Sequence, residues 1–165
     1  MEELREVLKR CRRCRLWQVG LNTVVGEGPV PSEIMLVGQN PGAEEDVVGR
    51  PFVGRAGRFL DGVLSENGFC RSELYVTNVV KHRTPRNRIP KQDEVAACMP
   101  YLMQEIVLVK PKIVVLMGRI AWQVPRASRA FYVETFHPSA AMRFPRVRRR
   151  FVSDFRRLKS LFNST

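Results

Sequence analysis

Short, continuously apolar runs separated by helical patterns are the feature that most constrains the fold of this chain. Residues 34–37 and 113–117 are such runs, and each is followed directly by a glycine. A short run without polar alternation predicts a strand that is buried on both faces of a parallel sheet. Residues 74–80, rich in β-branched side chains, and residues 131–135 predict two further strands.

Amphipathic helical patterns lie between and around these strands. Apolar residues recur at helical spacing within residues 2–10, 56–66, 93–109 and 147–162. Strands that alternate with helices imply βα crossovers and a sheet that is covered on both faces. We therefore predict an α/β fold, a three-layer αβα arrangement around a central four-stranded, mostly parallel sheet, in a single domain over residues 1–165.

Three clusters of turn-forming and polar residues directly follow predicted strands. They are residues 38–42, residues 78–88 and the sequence His137-Pro-Ser139. The carboxyl ends of parallel strands meet at one edge of a sheet, where such folds bind their ligands. The sequence therefore predicts a functional site at this edge.

The charge balance indicates a polyanionic partner. Lys and Arg number 28 against 16 Asp and Glu, a formal net charge of +12, which fits nucleic acid better than a membrane surface. No apolar run approaches the roughly 18–20 residues of a spanning helix, and the charged N-terminus has no signal-peptide core, so we expect a cytoplasmic protein. Phosphate contacts are predicted for basic residues of the 81–91 loop and the C-terminal helix, namely Lys81, Arg83, Arg86, Arg88, Arg148 and Arg149.

The sequence Cys11-x-x-Cys14 predicts metal or redox chemistry, because four cysteines are too few for a disulfide scaffold at this length. Cys98, Cys70 and His82 are the other candidate ligands. Thiolates at this spacing bind zinc or an iron–sulfur cluster, and histidine replaces cysteine in both. The residues alone leave the two groups open. A structural role is expected, because no flavin or nicotinamide fingerprint accompanies them.

Seven further motifs occur in an order and at a spacing typical of one protein family. They are Gly38-x-x-Pro-Gly42, Glu44-Glu-Asp46, Gly49-Arg-Pro-Phe-Val-Gly-Arg-Ala-Gly57, Tyr75-Val-Thr-Asn-Val-Val-Lys81, Asn87-Arg-x-Pro90, Pro111-Lys-Ile-Val-Val-x-x-Gly118 and His137-Pro-Ser-Ala-Ala-x-Arg143. Together they resemble the family 4 uracil-DNA glycosylases, iron–sulfur enzymes common in thermophilic archaea and bacteria. The resemblance runs from about Cys11 to Phe155.

The resemblance implies a DNA repair enzyme that flips uracil out of DNA and hydrolyses its N-glycosidic bond, leaving an abasic site without strand cleavage. His137 would stabilise the departing base, and Asn40 would orient water. Phe52 would stack on uracil, and Asn78 would read its hydrogen-bonding edge. Further contacts are expected to the base from Gln39 and Glu45, and to DNA from Ser139, Met142 and Arg143.

Two departures from the family pattern bear on the site. Gln39-Asn40 stands where the family usually has Glu-Gly or Glu-Ala, so both positions carry an amide and neither carries a carboxylate. His82 stands at the family's third cluster cysteine, and Cys70 is the rival fourth ligand. The resemblance thus implies a 4Fe-4S cluster, with zinc as the alternative, that ties about residues 1–20 to the rest of the domain. Its expected ligands are Cys11, Cys14, His82 and Cys98.

Two other functions remain open at this point. A glycosylase of relaxed specificity would act on hypoxanthine and xanthine as well as uracil, and Asn40 favours it. A non-catalytic nucleic-acid-binding iron–sulfur module would keep the basic surface without needing Phe52, Asn78 and His137 together. In each case the expected partner is DNA, double- or single-stranded and containing uracil for the enzyme, and we expect a monomer.

Overall fold

A computed structural model describes all 165 residues and is built around a sheet of four parallel strands. The strands are β1 (Ile34–Gly38), β2 (Tyr75–Asn78), β3 (Ile113–Met117) and β4 (Phe131–Thr135). Their order in the sheet is β2-β1-β3-β4, and every neighbouring pair is parallel. The predicted αβα fold with four central strands is confirmed, and the sheet is entirely rather than mostly parallel.

Strand β2 is shorter than the sequence predicted. Val79 and Val80 are buried, as an apolar strand would be, but the chain leaves the ladder after Asn78. Their backbone N–H groups donate to the carbonyls of Gly38 and Gln39, each at 3.0 Å. The apolar pattern of Val79 and Val80 therefore reflects their burial and not a longer strand. The path of the chain at these residues is set by the loop that follows β1.

Seven helices surround the sheet, and the long ones are those that the periodicity predicted. They are α1 (Glu2–Lys9), α2 (Ala43–Val48), α3 (Arg55–Glu66), α4 (Gln92–Val109), α5 (Arg119–Trp122), α6 (Pro138–Arg143) and α7 (Pro145–Asn163). The sequence analysis did not predict α2, α5 or α6, because four to six residues are too few to show a helical period. None of the helices has the length and apolar character needed to cross a membrane.

The sheet separates two apolar layers of the core. Met35 and Val37 of β1 face the layer that α4 and α5 cover, whereas Ile34 and Leu36 face the layer of α3 and α7. Successive strand residues point to opposite faces, so a strand that is covered on both sides must be apolar throughout. The buried stripe of α7 is centred on Phe151, and the remaining faces of that helix carry its arginines.

The N-terminal segment packs against α4. Leu4 and Leu8 of α1 are buried together with Tyr101. This contact places Cys11 and Cys14, which follow α1, on the same side of the sheet as Cys98 in α4. Cys14 packs against the apolar layer to which Cys98 belongs.

Candidate active site

The loops after β1, β2 and β4 line one cavity of about 630 Å³ at the carboxyl edge of the sheet. This is the edge at which the sequence analysis expected a site. Of the residues predicted to act on base or DNA, the cavity brings together Gln39, Asn40, Glu45, Phe52, Asn78, His137, Ser139 and Arg143. Side chains that are far apart in the sequence thus share one pocket.

Phe52 closes one side of the pocket from a tight turn. Its ring is 5% exposed and lies stacked against the His137 ring, with centroids 5.9 Å apart and planes inclined by 30°. Gly38 permits this approach, because a Cβ there would overlap both the Phe52 ring and the Asn78 amide. Gly57 has the same role on the other side, where a Cβ would collide with the Phe52 backbone. The two glycines therefore allow an aromatic ring to lie against the sheet edge.

Asn78 presents the one buried side-chain acceptor of the pocket that has no partner. The residue is 3% exposed, and its Oδ1 makes no hydrogen bond within the protein. A buried acceptor without a donor costs about 1–3 kcal/mol, so such groups normally have a partner. Because Asn78 lines the cavity, a ligand N–H is the group that would satisfy it.

His137 is held as a neutral ring with a defined tautomer. Its Nδ1 accepts from the Ser139 backbone N–H at 3.1 Å and lies 2.7 Å from Ser139 Oγ. A backbone amide can only donate, so Nδ1 carries no proton and the neutral ring bears its proton on Nε2. Burial lowers the pKa of His137 to about 4. At neutral pH the residue is therefore a hydrogen-bond donor through Nε2 alone.

The amides of Gln39 and Asn40 form a small network at the mouth of the loop after β1. Gln39 Nε2 donates to Asn40 Oδ1 at 3.0 Å, and Asn40 Nδ2 donates to the Pro41 carbonyl at 3.1 Å. Thr84 Oγ1 lies 3.5 Å from the same nitrogen. These bonds hold the Asn40 amide in place, so it can orient a water molecule, but an amide cannot take a proton from it.

Glu45 lines the cavity, but its oxygens are already used by the protein. Oε1 accepts from the Gly42 N–H at 3.0 Å, and Oε2 accepts from the N–H groups of Val53 at 3.0 Å and Gly54 at 2.6 Å. The sequence analysis expected Glu45 to contact the substrate. In the structure Glu45 instead joins the start of α2 to the turn that carries Phe52.

The Lys81 ammonium is buried and paired within the protein, so the prediction that it binds phosphate is wrong. The side chain is 1% exposed and forms an ion pair with Glu105 at 2.6 Å. Its Nζ also donates to Thr77 Oγ1 and to the Asn78 carbonyl, both at 2.6 Å. The ammonium group is thus fully engaged beneath β2, where it holds the backbone of Asn78.

The other basic residues that were predicted to bind DNA differ in whether their side chains are already paired within the protein. Arg88 forms a bidentate pair with Glu94 at 2.7 and 2.9 Å, which leaves it little capacity for a phosphate. Arg83 bonds Asn87 at 3.0 Å and is half-buried. The side chains that are exposed, as the phosphate-contact prediction requires, are those of Arg86, Arg143, Arg148 and Arg149.

The cavity is also lined by residues to which the sequence analysis assigned no role, among them Asn87, Ile89 and Phe144. Phe144 is 50% exposed at the rim, with the Arg143 guanidinium 5.3 Å above its ring. Met142, which was expected to contact DNA, lines a smaller cavity beside the main one. An exposed aromatic directly before the proline that begins α7 was the available signal for Phe144.

Three of the expected cluster ligands lie near one another. Burial, with smaller contributions from Cys14 and Cys11, raises the pKa of Cys98 to about 11. Burial likewise raises the pKa of Cys14, with Cys11 adding to the effect. Lys81 lies near the Cys98 thiol and partly offsets the rise in its pKa, so the chain directly before His82 lies in the same region.

The His82 ring is compatible with metal binding through one nitrogen. Its Nε2 lies 3.0 Å from Thr23 Oγ1, while Nδ1 makes no hydrogen bond. Ligating histidines typically donate their second N–H to a protein oxygen, which fixes the ring. His82 and Cys11 also line a common cavity of about 660 Å³. Cys70, the rival ligand, is exposed and pairs with Ser72 Oγ at 2.9 Å.

Three thiols and an imidazole are ligand types that an iron–sulfur cluster takes. Zinc holds four ligands at about 2.0–2.3 Å from one point, so they crowd together. No three Cys, His, Asp or Glu side chains converge in that way. A four-iron cluster takes one ligand at each iron, so its ligands stand farther apart. Three neighbouring thiols and a free imidazole nitrogen suit that wider arrangement.

Comparison with known proteins places this chain in a family. The model of the Uracil DNA glycosylase superfamily matches residues 25–159. The chain is 37% identical to the type-4 uracil-DNA glycosylase of Sulfurisphaera tokodaii, over 98% of this chain and 84% of that protein. It is 40% identical to the type-4 uracil-DNA glycosylase of Pyrobaculum aerophilum, over 93% of this chain and 90% of the relative. The chain therefore belongs to the uracil-DNA glycosylase superfamily and, within it, to the type-4 enzymes.

Proposed function

We propose that this protein removes uracil from DNA by hydrolysing its N-glycosidic bond, leaving an abasic site in an intact strand. The observation that carries the proposal is the buried, unpaired Oδ1 of Asn78 in a cavity shared with the Phe52 ring and neutral His137. An aromatic face, an unmet acceptor and a neutral donor are the groups that bind a flipped pyrimidine.

Recognition of uracil rests on the Asn78 amide. Its Oδ1 accepts from uracil N3–H, and its Nδ2 donates to uracil O4. Cytosine presents an acceptor at N3 and a donor at position 4, so it would leave both amide atoms mismatched. The Lys81 ammonium holds the Asn78 carbonyl, and Gly38 leaves room for the side chain. The Asn78 amide is thus held in position before uracil binds.

Catalysis rests on the Nε2–H of His137. As the bond between the sugar C1′ and uracil N1 breaks, the electron pair stays with uracil and negative charge grows on O2. A neutral imidazole donor directed at this oxygen stabilises that charge without a proton transfer. Water then adds to C1′ and loses a proton to solvent, and the Asn40 amide orients the water. No lysine is free to attack C1′ from the pocket, because Lys81 is buried and ion-paired.

We further propose that Cys11, Cys14, His82 and Cys98 hold a 4Fe-4S cluster. When bound, the cluster supplies a structural cross-link between the N-terminal segment and α4. The support is the proximity of the three thiols and the free Nδ1 of His82, whose Nε2 lies 3.0 Å from Thr23 Oγ1. The basic residues that remain exposed bind DNA phosphates. We also propose that the protein acts as a cytoplasmic monomer.

The relaxed-specificity alternative rests on Asn40 and its amide network, which replace the family's usual residues beside the pocket. Purified protein incubated with duplexes that contain uracil, hypoxanthine or xanthine separates the two functions. Alkali treatment and a sequencing gel then reveal abasic sites. We expect cleavage at uracil only, and no borohydride-trapped adduct. Equal excision of hypoxanthine would favour the alternative, and intact uracil strands would overturn the proposal.

A further inference from the structure

The turn that carries Phe52 has a backbone conformation that its sequence does not favour. Phe52 has a φ of +52°, in the left-handed region that bulky side chains rarely adopt. The residue is nevertheless placed so that its ring faces His137. Contacts from outside the turn must therefore hold it in place.

Arg71 supplies such contacts to the carbonyl side of the turn. Its Nη2 donates to the Pro51 carbonyl at 2.5 Å, and its Nη1 donates to the Phe52 carbonyl at 2.6 Å. The planar fork of a guanidinium presents two parallel donors, which suits two successive carbonyl oxygens. Arg71 lies in the turn before β2, outside every motif that the sequence analysis associated with the base.

The Arg71 side chain is itself fixed. Its Nη1 donates to Asp61 Oδ1 at 3.0 Å, and Glu27 Oε1 lies 3.5 Å from its Nη2. Only 20% of the side chain is exposed. Both Nη atoms of Arg71 thus have partners within the protein, so the guanidinium is not free to bind a DNA phosphate.

A carboxylate holds the other side of the same turn. Glu45 accepts from the N–H groups of Val53 and Gly54, the two residues after Phe52. A cation therefore binds the carbonyls at and before Phe52, and an anion binds the amides after it. The two charged groups satisfy consecutive peptide units of a backbone that is strained between them.

We propose that Arg71 is a positioning residue for uracil recognition, which holds the Phe52 turn so that the ring presents its face to the flipped base. This inference rests on the proposed stacking role of Phe52. It assigns a function in the base pocket to a side chain that does not line the pocket. Loss of the guanidinium should weaken the binding of uracil itself, and not only the stability of the fold.

The experiment compares Arg71→Gln, Arg71→Lys and the matched control Arg50→Gln. Arg50 also pairs with Glu27, at 2.9 and 3.0 Å, but is exposed and bonds neither carbonyl of the turn. The readouts are the inhibition constant for free uracil and the single-turnover excision rate at saturating enzyme. We expect Arg71→Gln to weaken uracil inhibition about tenfold and to slow excision. Arg71→Lys should recover part of the loss, and Arg50→Gln should stay within about twofold of the parent.

A double-mutant cycle with Phe52→Ala tests whether Arg71 acts through the ring. Phe52→Ala should weaken uracil inhibition by roughly 5–100-fold, and adding Arg71→Gln to it should change nothing further. A full second loss in the Phe52→Ala background, or unchanged uracil inhibition in Arg71→Gln, would overturn the inference. If Phe52→Ala alone leaves uracil inhibition unchanged, the proposed stacking role fails, and that result is visible without any Arg71 variant. Circular dichroism and thermal melting monitor folding, and Arg71→Lys enters the same cycle if Arg71→Gln does not fold.

Discussion

The base pocket and the cysteine-bearing region, which comprises Cys11, Cys14, His82 and Cys98, are built from adjoining stretches of chain. They differ in how many of their polar groups have partners within the protein. In the pocket, Glu45, Gln39 and the Nδ1 of His137 all have protein partners. One buried acceptor, on Asn78, is left for the ligand. The pocket is therefore organised before substrate binds, as electrostatic catalysis requires.

The cysteine-bearing region has the opposite character. Burial raises the pKa of both Cys14 and Cys98, so without a metal these thiols are neutral and contribute little polar bonding. The region adjoins the pocket at Lys81, which lies near the Cys98 thiol and whose ammonium donates to the Asn78 carbonyl. The geometry of the pocket is thus set by contacts within the protein, whereas the cysteine thiols make few polar contacts of their own.

The largest expected effect tests the pocket directly. His137→Ala removes the donor that is proposed to face uracil O2, and loss of such a donor typically lowers the rate by about 10²–10³-fold. Single-turnover excision from a uracil-containing oligonucleotide measures the loss, and an unchanged melting temperature shows that the fold survives. A fully active variant would mean that another group stabilises the departing uracil.

The next effect tests the cysteine region. Purified protein should be brown, with broad visible absorbance, and His82→Ala should bleach it because a ligand is lost. His82→Cys should keep the colour, since it restores the thiolate that the family uses at this position. The excision rate of His82→Ala should fall less than that of His137→Ala, because the cluster is structural.

Cys70→Ala is the matched control for the ligand assignment. Cys70 is exposed and bonds Ser72, so its removal should change neither the colour nor the iron content. A brown His82→Ala that loses its colour only when Cys70 is also replaced would contradict the assignment. Colourless parent protein with one equivalent of zinc would contradict the cluster itself.

A smaller effect is expected at Asn40. Cleavage of an N-glycosidic bond is largely dissociative, so stabilising the leaving base matters more than activating water. Asn40→Ala should therefore lower single-turnover excision by less than about tenfold, well short of the His137→Ala loss. The reverse ranking would show that the amide at position 40 is the main catalytic group.

The strands, the long helices and the convergence of polar clusters at one sheet edge were predictable, because each follows from local patterns. An apolar run such as residues 113–117, flanked by predicted helices, is compatible with few structures other than a buried strand. Lys81 shows where that reasoning ends. In sequence it belongs to a basic loop, and only the fold brings Glu105 of α4 to within 2.6 Å of it.

The parts of the site that could not be predicted are those that depend on contacts between distant backbone groups. Arg71 and Glu45 hold the Phe52 turn through carbonyl and amide groups, which every residue has and which therefore leave no sequence pattern. The tautomer of His137 depends likewise on the Ser139 N–H. Residue identities indicated the chemistry of the pocket, whereas its positioning contacts required coordinates.

The smallest expected effect is the absence of a pH response near neutrality. A free histidine titrates near pH 6.5, but burial lowers the pKa of His137 to about 4, so its ring stays neutral as the pH falls from 8 to 5. Protonation near pH 4 would place a proton on Nδ1, which now accepts from Ser139, and the His137–Ser139 contact would be lost. Single-turnover excision should therefore be flat between pH 8 and 5 and should decline as the pH approaches 4. His137→Gln, which cannot titrate, should lack that acid limb. An inflection near pH 6.5 that disappears in His137→Gln would show that the ring works as an imidazolium, and that the pocket is less dry than its contacts indicate.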